Sequence, residues 1–121
     1  MANKKTLIVG ASTNADRYAY KAANALTKHG HSIVNIGTKS GTVAGVEIQK
    51  GKPPIADLDT ITLYIGAAHQ PDMYEYLLGL KPKRIIFNPG TENPPFEKMA
   101  REQGIEVLEA CTLVMLASKQ Y

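Results

Sequence analysis

The chain's pattern predicts an α/β fold: a doubly wound parallel sheet of five strands, with helices on both faces in three αβα layers. Three observations lead there. Short apolar, β-branched runs alternate with segments of helical spacing, and glycine punctuates the transitions between them. The run Thr60–Gly66 (TITLYIG) is apolar without alternation, as a strand covered on both faces should be. The length, 121 residues, suits one domain with a two-sided core and is too short for a dinucleotide fold plus a separate substrate domain.

Each element can be justified in turn. Thr6–Val9 is a short β-rich run ending at Gly10, and Tyr18–His29 follows with apolar residues at Tyr18, Ala22, Ala25 and Leu26, a helical spacing. Gly30 sits where a helix-closing glycine belongs, and Ser32–Ile36 is a second strand, completing one βαβ unit. The polar, glycine-rich stretch Gly37–Gly51 reads as a long surface loop with a brief extended piece at Val46–Ile48. Pro53, Pro54 and a turn through Ala56–Asp59 lead on to the third strand, Thr60–Gly66. Pro71–Leu80 is a helix, and Arg84–Phe87 a strand ending in Asn88-Pro89-Gly90. Pro95–Gln103 is a helix stopped by Gly104, and Ile105–Leu108 a fifth strand. Cys111–Ser118 folds back as a last helix. Right-handed crossovers give the predicted strand order 3-2-1-4-5 in a single domain spanning residues 1–121.

Composition narrows the class. An apolar fraction of 44% and a charged fraction of 21% are those of an ordinary globular protein. No signal-peptide h-region and no membrane-length apolar run is present, so the expected location is the cytoplasm, with no membrane partner. The lone cysteine, Cys111, cannot form an internal disulfide, and a cysteine-rich zinc site is excluded. The formal charge of +3 comes from scattered lysines rather than a basic stripe, which argues against nucleic acid and for an anionic small molecule.

In a doubly wound sheet, ligands bind beyond the carboxyl ends of the strands, which directs attention to four loops: Gly10–Arg17, Gly37–Gly45, Gly66–Asp72 and Asn88–Asn93. The first joins a strand to a helix, where unpaired backbone N–H groups and the helix dipole favour an anion, with the Ser12 and Thr13 hydroxyls as further donors. Turn and cap chemistry by Ser12, Thr13, Asn14 and Asp16 accounts for the same residues equally well. A dinucleotide fingerprint would need glycines where Ser12 and Ala15 stand, and the P-loop pattern is absent. After the second strand the chain reads Ile36-Gly37-Thr38-Lys39, a cation where an NAD site places a carboxylate. Lys39 suits a phosphorylated ribose, either the 2′-phosphate of NADP or the 3′-phosphate of coenzyme A; a solvated loop lysine is the alternative. His29 and His31 bracket Gly30, and His69 has no ligand partner at metal spacing, so no metal site is expected. Cys111 reads as a buried structural thiol or one able to pair with a ligand thiol, and Glu92 as a base or, with Asn93, a helix cap.

Gly10-Ala11-Ser12 ahead of the Tyr20-Lys21-Ala22 helix, its Gly30-His31 end, Phe87–Asn93 (FNPGTEN) and Ala110–Leu116 (ACTLVML) resemble the CoA-binding domain family. The same segments, covering Leu7 to Leu116, are similar to the amino-terminal part of the succinyl-CoA synthetase α subunit, a Rossmann-like domain. The resemblance implies coenzyme A or an acyl-CoA as ligand. By it, Gly10, Ala11, Ser12 and Thr13 meet the phosphates with Arg17 beside them, and Thr38 and Lys39 flank the 3′-phosphoadenosine. Gly66 and Ala67 border the pantetheine, and Asn88, Pro89, Gly90 and Thr91 line the floor at the thiol end. Two departures from the synthetase stand out: no proline precedes Thr38-Lys39, and Gly66-Ala67-Ala68-His69 replaces a proline pair.

The synthetase's phosphohistidine domain and a nucleotide-grasp domain have no counterpart in this sequence. The reading is therefore of a nucleotide-binding module that holds coenzyme A without catalysis of its own. The competing readings are an NADP-dependent or acyl-CoA-using enzyme completed by a partner subunit, and a structural protein with a vestigial site. The sequence leaves open a homo-oligomer or another protein partner.

Overall fold

The computed structural model describes residues 3–121; Met1 and Ala2 lie outside the described residues. At the centre is β1 (Thr6–Val9), all four residues buried, paired in parallel with β2 (Ile33–Ile36) on one side and β5 (Thr60–Leu63) on the other. Beyond β5 come β6 (Arg84–Phe87) and β7 (Glu106–Glu109), also parallel and in register, with Thr60 opposite Arg84 and Arg84 opposite Glu106. β1, β5 and β6 are buried along their whole lengths, whereas the outermost β7 is flanked by exposed glutamates, the pattern of a guarded edge.

The sheet departs from the expected five strands and their order. It has seven, in the order β3-β4-β2-β1-β5-β6-β7. The supposed loop after β2 contains a hairpin, β3 (Thr42–Val43) and β4 (Val46–Gln49), and β4 pairs in parallel with β2 through Asn35–Ile48 and Ile36–Gln49. β4 thus takes the place beside β2 that the predicted order gave to the Thr60 strand. Burial explains the exchange: β5 is covered on both faces and belongs at the centre, while β4 shows solvent-facing Glu47 and Gln49 around buried Ile48, as an outer strand does. The hairpin turns on Ala44-Gly45, both with positive φ (53° and 78°), in place of the Asn-Gly or Asp-Gly that marks such turns most clearly.

Helices cover both faces. On one, α1 (Tyr18–Lys28) and α4 (Thr112–Ala117) pack Ala19, Ala23, Leu26, Met115 and Leu116 over Ile8, Ile33 and Ile86. On the other, α2 (Tyr74–Gly79) and α3 (Pro94–Glu102) press Leu77, Leu78, Phe96 and Ala100 on Leu7, Val9, Ile61, Leu63, Ile85 and Phe87. The predicted Pro71–Leu80 helix begins as a 3₁₀ turn, Pro71–Met73, before α2. α1 buries Ala19, Ala22, Ala23 and Leu26, while Tyr18, expected on the apolar face, is 67% exposed. Gly30 (φ 86°) closes α1 as a Schellman motif, its N–H bonded to Thr27 O and that of His31 to Leu26 O. Asn93 caps α3, accepting from Phe96 N–H, while Glu97 accepts from Asn93 N–H in return. Among the described residues no helix is long and apolar enough to cross a membrane.

Candidate functional site

The four loops singled out from sequence emerge at the carboxyl ends of β1, β2, β5 and β6, and close backbone approaches and one buried side chain lock them to one another. After β1 the chain turns at Gly10 (φ 95°), where a Cβ would stand 2.9 Å from Ile65 Cγ2 and 3.0 Å from Tyr64 O. Only glycine admits so close an approach in that conformation. Gly37 meets the same turn from the β2 side, since a Cβ there would lie 2.5 Å from Ala11 O, and Gly41 packs against the Thr13 side chain. On the other flank Gln70, fully buried, donates to Ile65 O (3.0 Å) and Thr91 O (2.8 Å) and accepts from Asn93 Nδ2 (2.9 Å). The loop after β5 is thereby tied to the loop after β6.

Within the first loop the donors divide into two groups. Gly10 and Ala11 both give their N–H to Ile36 O (2.9 and 2.8 Å), so these two amides hold β2 rather than facing outward. Among the described residues the Ser12 and Thr13 amides have no hydrogen-bond partner, and Thr13 is exposed. Ser12 Oγ accepts from Asn14 N–H (3.0 Å), and Asn14 Oδ1 from Asp16 N–H (2.9 Å), so the turn chemistry that competed with the phosphate reading is also present. These turns delay α1 until Tyr18, and exposed Arg17 occupies its N-cap without a side-chain cap bond.

The second loop forms an arch. Its feet, Gly37 and Gly41, are held on the inside by Ala11 and Thr13 and on the outside by β4, through Gly37 N–H to Gln49 O (3.1 Å) and Ile48 N–H to Gly41 O (2.7 Å). At its crown Thr38, Lys39 and Ser40 are exposed. Gly66 and Ala67 are half-buried at the start of the 3₁₀ turn Ala67–His69, on which His69 is exposed.

In the fourth loop the predicted residues separate. Asn88 is buried and fully engaged: it donates to Thr62 Oγ1 (2.7 Å) and Leu63 O (2.8 Å) and accepts from Thr112 N–H (2.9 Å), clasping β6 to β5 and to the start of α4. Thr91 is buried too, its hydroxyl given to Asn88 O (2.8 Å). Pro89 and Gly90 remain exposed, with Glu92 bracing the turn through Gly90 N–H (2.9 Å), so Glu92 serves the turn and Glu97 is Asn93's capping partner. The surface this loop offers a ligand is therefore that of Pro89, Gly90 and Glu92, with Asn88 and Thr91 beneath it.

Sequence reasoning passed over Gln70 and Tyr64. A glutamine between two short turns carries no pattern, and Tyr64 reads only as part of a strand. Burial pushes the Tyr64 phenol up to about 12, the neighbouring Thr62 and Thr112 hydroxyls acting weakly in the opposite sense. Those two hydroxyls bond each other (2.8 Å), and the Tyr64 hydroxyl makes no hydrogen bond of its own. Cys111, expected to be buried, is half-buried as the N-cap of α4. Among the described residues no group of three or more potential metal ligands gathers.

With this geometry in hand the chain can be set beside known proteins. A crystal structure of a protein described as uncharacterized superposes with a TM-score of 0.97 at 50% identity, covering 100% of both chains. The structure of cell-free ID.343 from Thermus thermophilus gives a TM-score of 0.80 at 21% identity over 98% of this chain and 91% of that one. A hypothetical protein from Pyrococcus horikoshii OT3 gives 0.82 at 22%, over 98% and 84%. The last two show a shared fold. No curated protein matches. The family profile described as "CoA binding domain" matches residues 4–117.

Proposed function

Because the chain belongs to the CoA-binding domain family, we propose that it binds coenzyme A or an acyl-CoA at the carboxyl edge of its Rossmann-like sheet, with no chemical step of its own. The observation that carries the reading is the convergence of the glycine turn and the arch, because it sets two unpartnered amides beside an exposed lysine. Ser12 and Thr13 would hold the diphosphate through those amides and the Thr13 hydroxyl, with Gly10 and Ala11 shaping the turn and Arg17 adding charge. Thr38 and Lys39 would read the 3′-phosphate. Gly66 and Ala67 would flank the pantetheine, and the Pro89-Gly90 backbone its thiol end, with Asn88 and Thr91 holding that turn from beneath.

Calorimetry tests the reading. Coenzyme A should bind more tightly than NAD or NADP; equal or stronger dinucleotide binding would overturn it. Lys39→Ala should weaken coenzyme A roughly tenfold, the value of one partly exposed charge-assisted contact, and leave dephospho-CoA nearly unchanged. Equal weakening of both ligands would move Lys39 to the diphosphate, and no change in either would remove it from the site.

A further inference from the structure

Asn35 lies on β2, in a position otherwise suited to an apolar side chain. It is 0% exposed and shares its face of the sheet with Ile8, its partner in the β1–β2 register. Both of its amide hydrogens are used, one on Val43 O (3.2 Å) and one on Val46 O (3.1 Å), the carbonyls on either side of the Ala44-Gly45 turn. Its own oxygen is buried without a partner. Flipping the amide would set that oxygen against two carbonyl oxygens, so the orientation follows from the geometry. A buried, unsatisfied acceptor disfavours the fold, and an amide kept in spite of it is best explained by the two bonds it donates.

Those bonds fix the β3–β4 hairpin, and the hairpin fixes the outer side of the arch. β4 supplies Gln49 O to Gly37 and Ile48 N–H to Gly41, the two feet between which Thr38, Lys39 and Ser40 are displayed. We propose that Asn35 is a positioning residue that sets the arch, and through it the site's preference for a phosphorylated ribose, without touching the ligand. This inference rests on the coenzyme A reading above for its ligand half only.

Two variants test it. Asn35→Leu keeps the branched shape and removes both donors; Ala44→Asn, at the half-buried first position of the turn, places a residue tolerant of positive φ where the hairpin needs one. Hydrogen exchange is followed at the Gly37 and Ile48 amides, with the β1 amides as internal reference, and each variant is titrated with coenzyme A and dephospho-CoA. Asn35→Leu should speed exchange at those two amides by about tenfold relative to β1, and lower the coenzyme A to dephospho-CoA preference roughly three- to tenfold, towards that of Lys39→Ala. Ala44→Asn should slow the same exchange and, added to Asn35→Leu, restore part of the preference. Faster exchange with an unchanged preference would overturn the proposal while leaving the coenzyme A reading intact. If Asn35→Leu does not fold, Ala44→Asn decides alone, and unaltered exchange at Gly37 and Ile48 sinks the link between hairpin and arch. A parent protein that binds neither ligand fails the coenzyme A reading instead, and one that binds both equally overturns the ligand half of the proposal; in either case the exchange data carry or sink the placement of the arch by Asn35.

Discussion

His31, 3% exposed just beyond α1, accepts the Lys4 backbone N–H at Nδ1 (2.9 Å), which fits the neutral ring with its proton on Nε2. Its ring packs 4.9 Å from that of Tyr121, over which the Arg84 guanidinium also lies at 4.3 Å. Burial, then the charges of Lys4, His29 and Arg84, hold the imidazole below its ordinary value of 6.5, with Asp59 acting weakly the other way. Protonating Nδ1 would also set one N–H against another. The sign of the effect follows: as pH falls below 6.5 the unfolded chain takes up a proton that the folded chain resists, so stability is complete above that pH and declines below it. The slope from this one group is at most about 1.4 kcal/mol per pH unit. Urea unfolding at pH 7.5 and 5.0 should show the loss, and His31→Gln should reduce it. An equal pH dependence in the variant would assign the effect to other groups.

At the scale of elements, most of the architecture is legible in the sequence. β1, β5, β6 and α4 follow from apolar runs, and the end of α1 from a single glycine. Gly30→Ala should cost about 1 kcal/mol, because the new Cβ meets no neighbour and only the left-handed backbone is penalised. A thermal melt lowered by a few degrees is the expected result, and an unchanged melt would mean the Schellman geometry is not what ends the helix. Of the β3–β4 hairpin only the extended piece Val46–Ile48, now within β4, is legible, since β3 has two residues and its Ala-Gly turn carries a weaker signal than Asn-Gly. The loops of the candidate site could be located from the order of strands and turns. The division of labour within them could not: nothing local marks Asn88 and Thr91 as buried and Pro89 and Gly90 as exposed, because partners far along the chain, Thr62 and Gln70 among them, decide it.

For the molecule as a whole, charge and topology matter more than any one contact. On the proposal that exposed Arg17 and Lys39 hold a polyanion, this protein of formal charge +3 should lose affinity for coenzyme A as salt is raised. Isothermal titrations from roughly 50 to 300 mM salt, about one half to three times the concentration at which screening reaches about 10 Å, should show a steeper decline for coenzyme A than for dephospho-CoA. Parallel slopes would indicate that the 3′-phosphate is not read by charge.

The central place of β1 also shapes how the chain is made. Its neighbour β2 follows after one helix, but on its other side Thr6 waits for Thr60, and β6 and β7 can join only after β5 has docked. A ribosome releasing the chain from the amino end therefore produces first a half-sheet of β1, β2 and the hairpin, with one edge of β1, the strand buried along its whole length in the finished fold, still open. Long-range parallel pairing of this kind is slow because the intervening segment must close before any contact rewards it. The order of the strands thus places the period of greatest exposure to misassociation in mid-synthesis, between the emergence of β4 and that of β5.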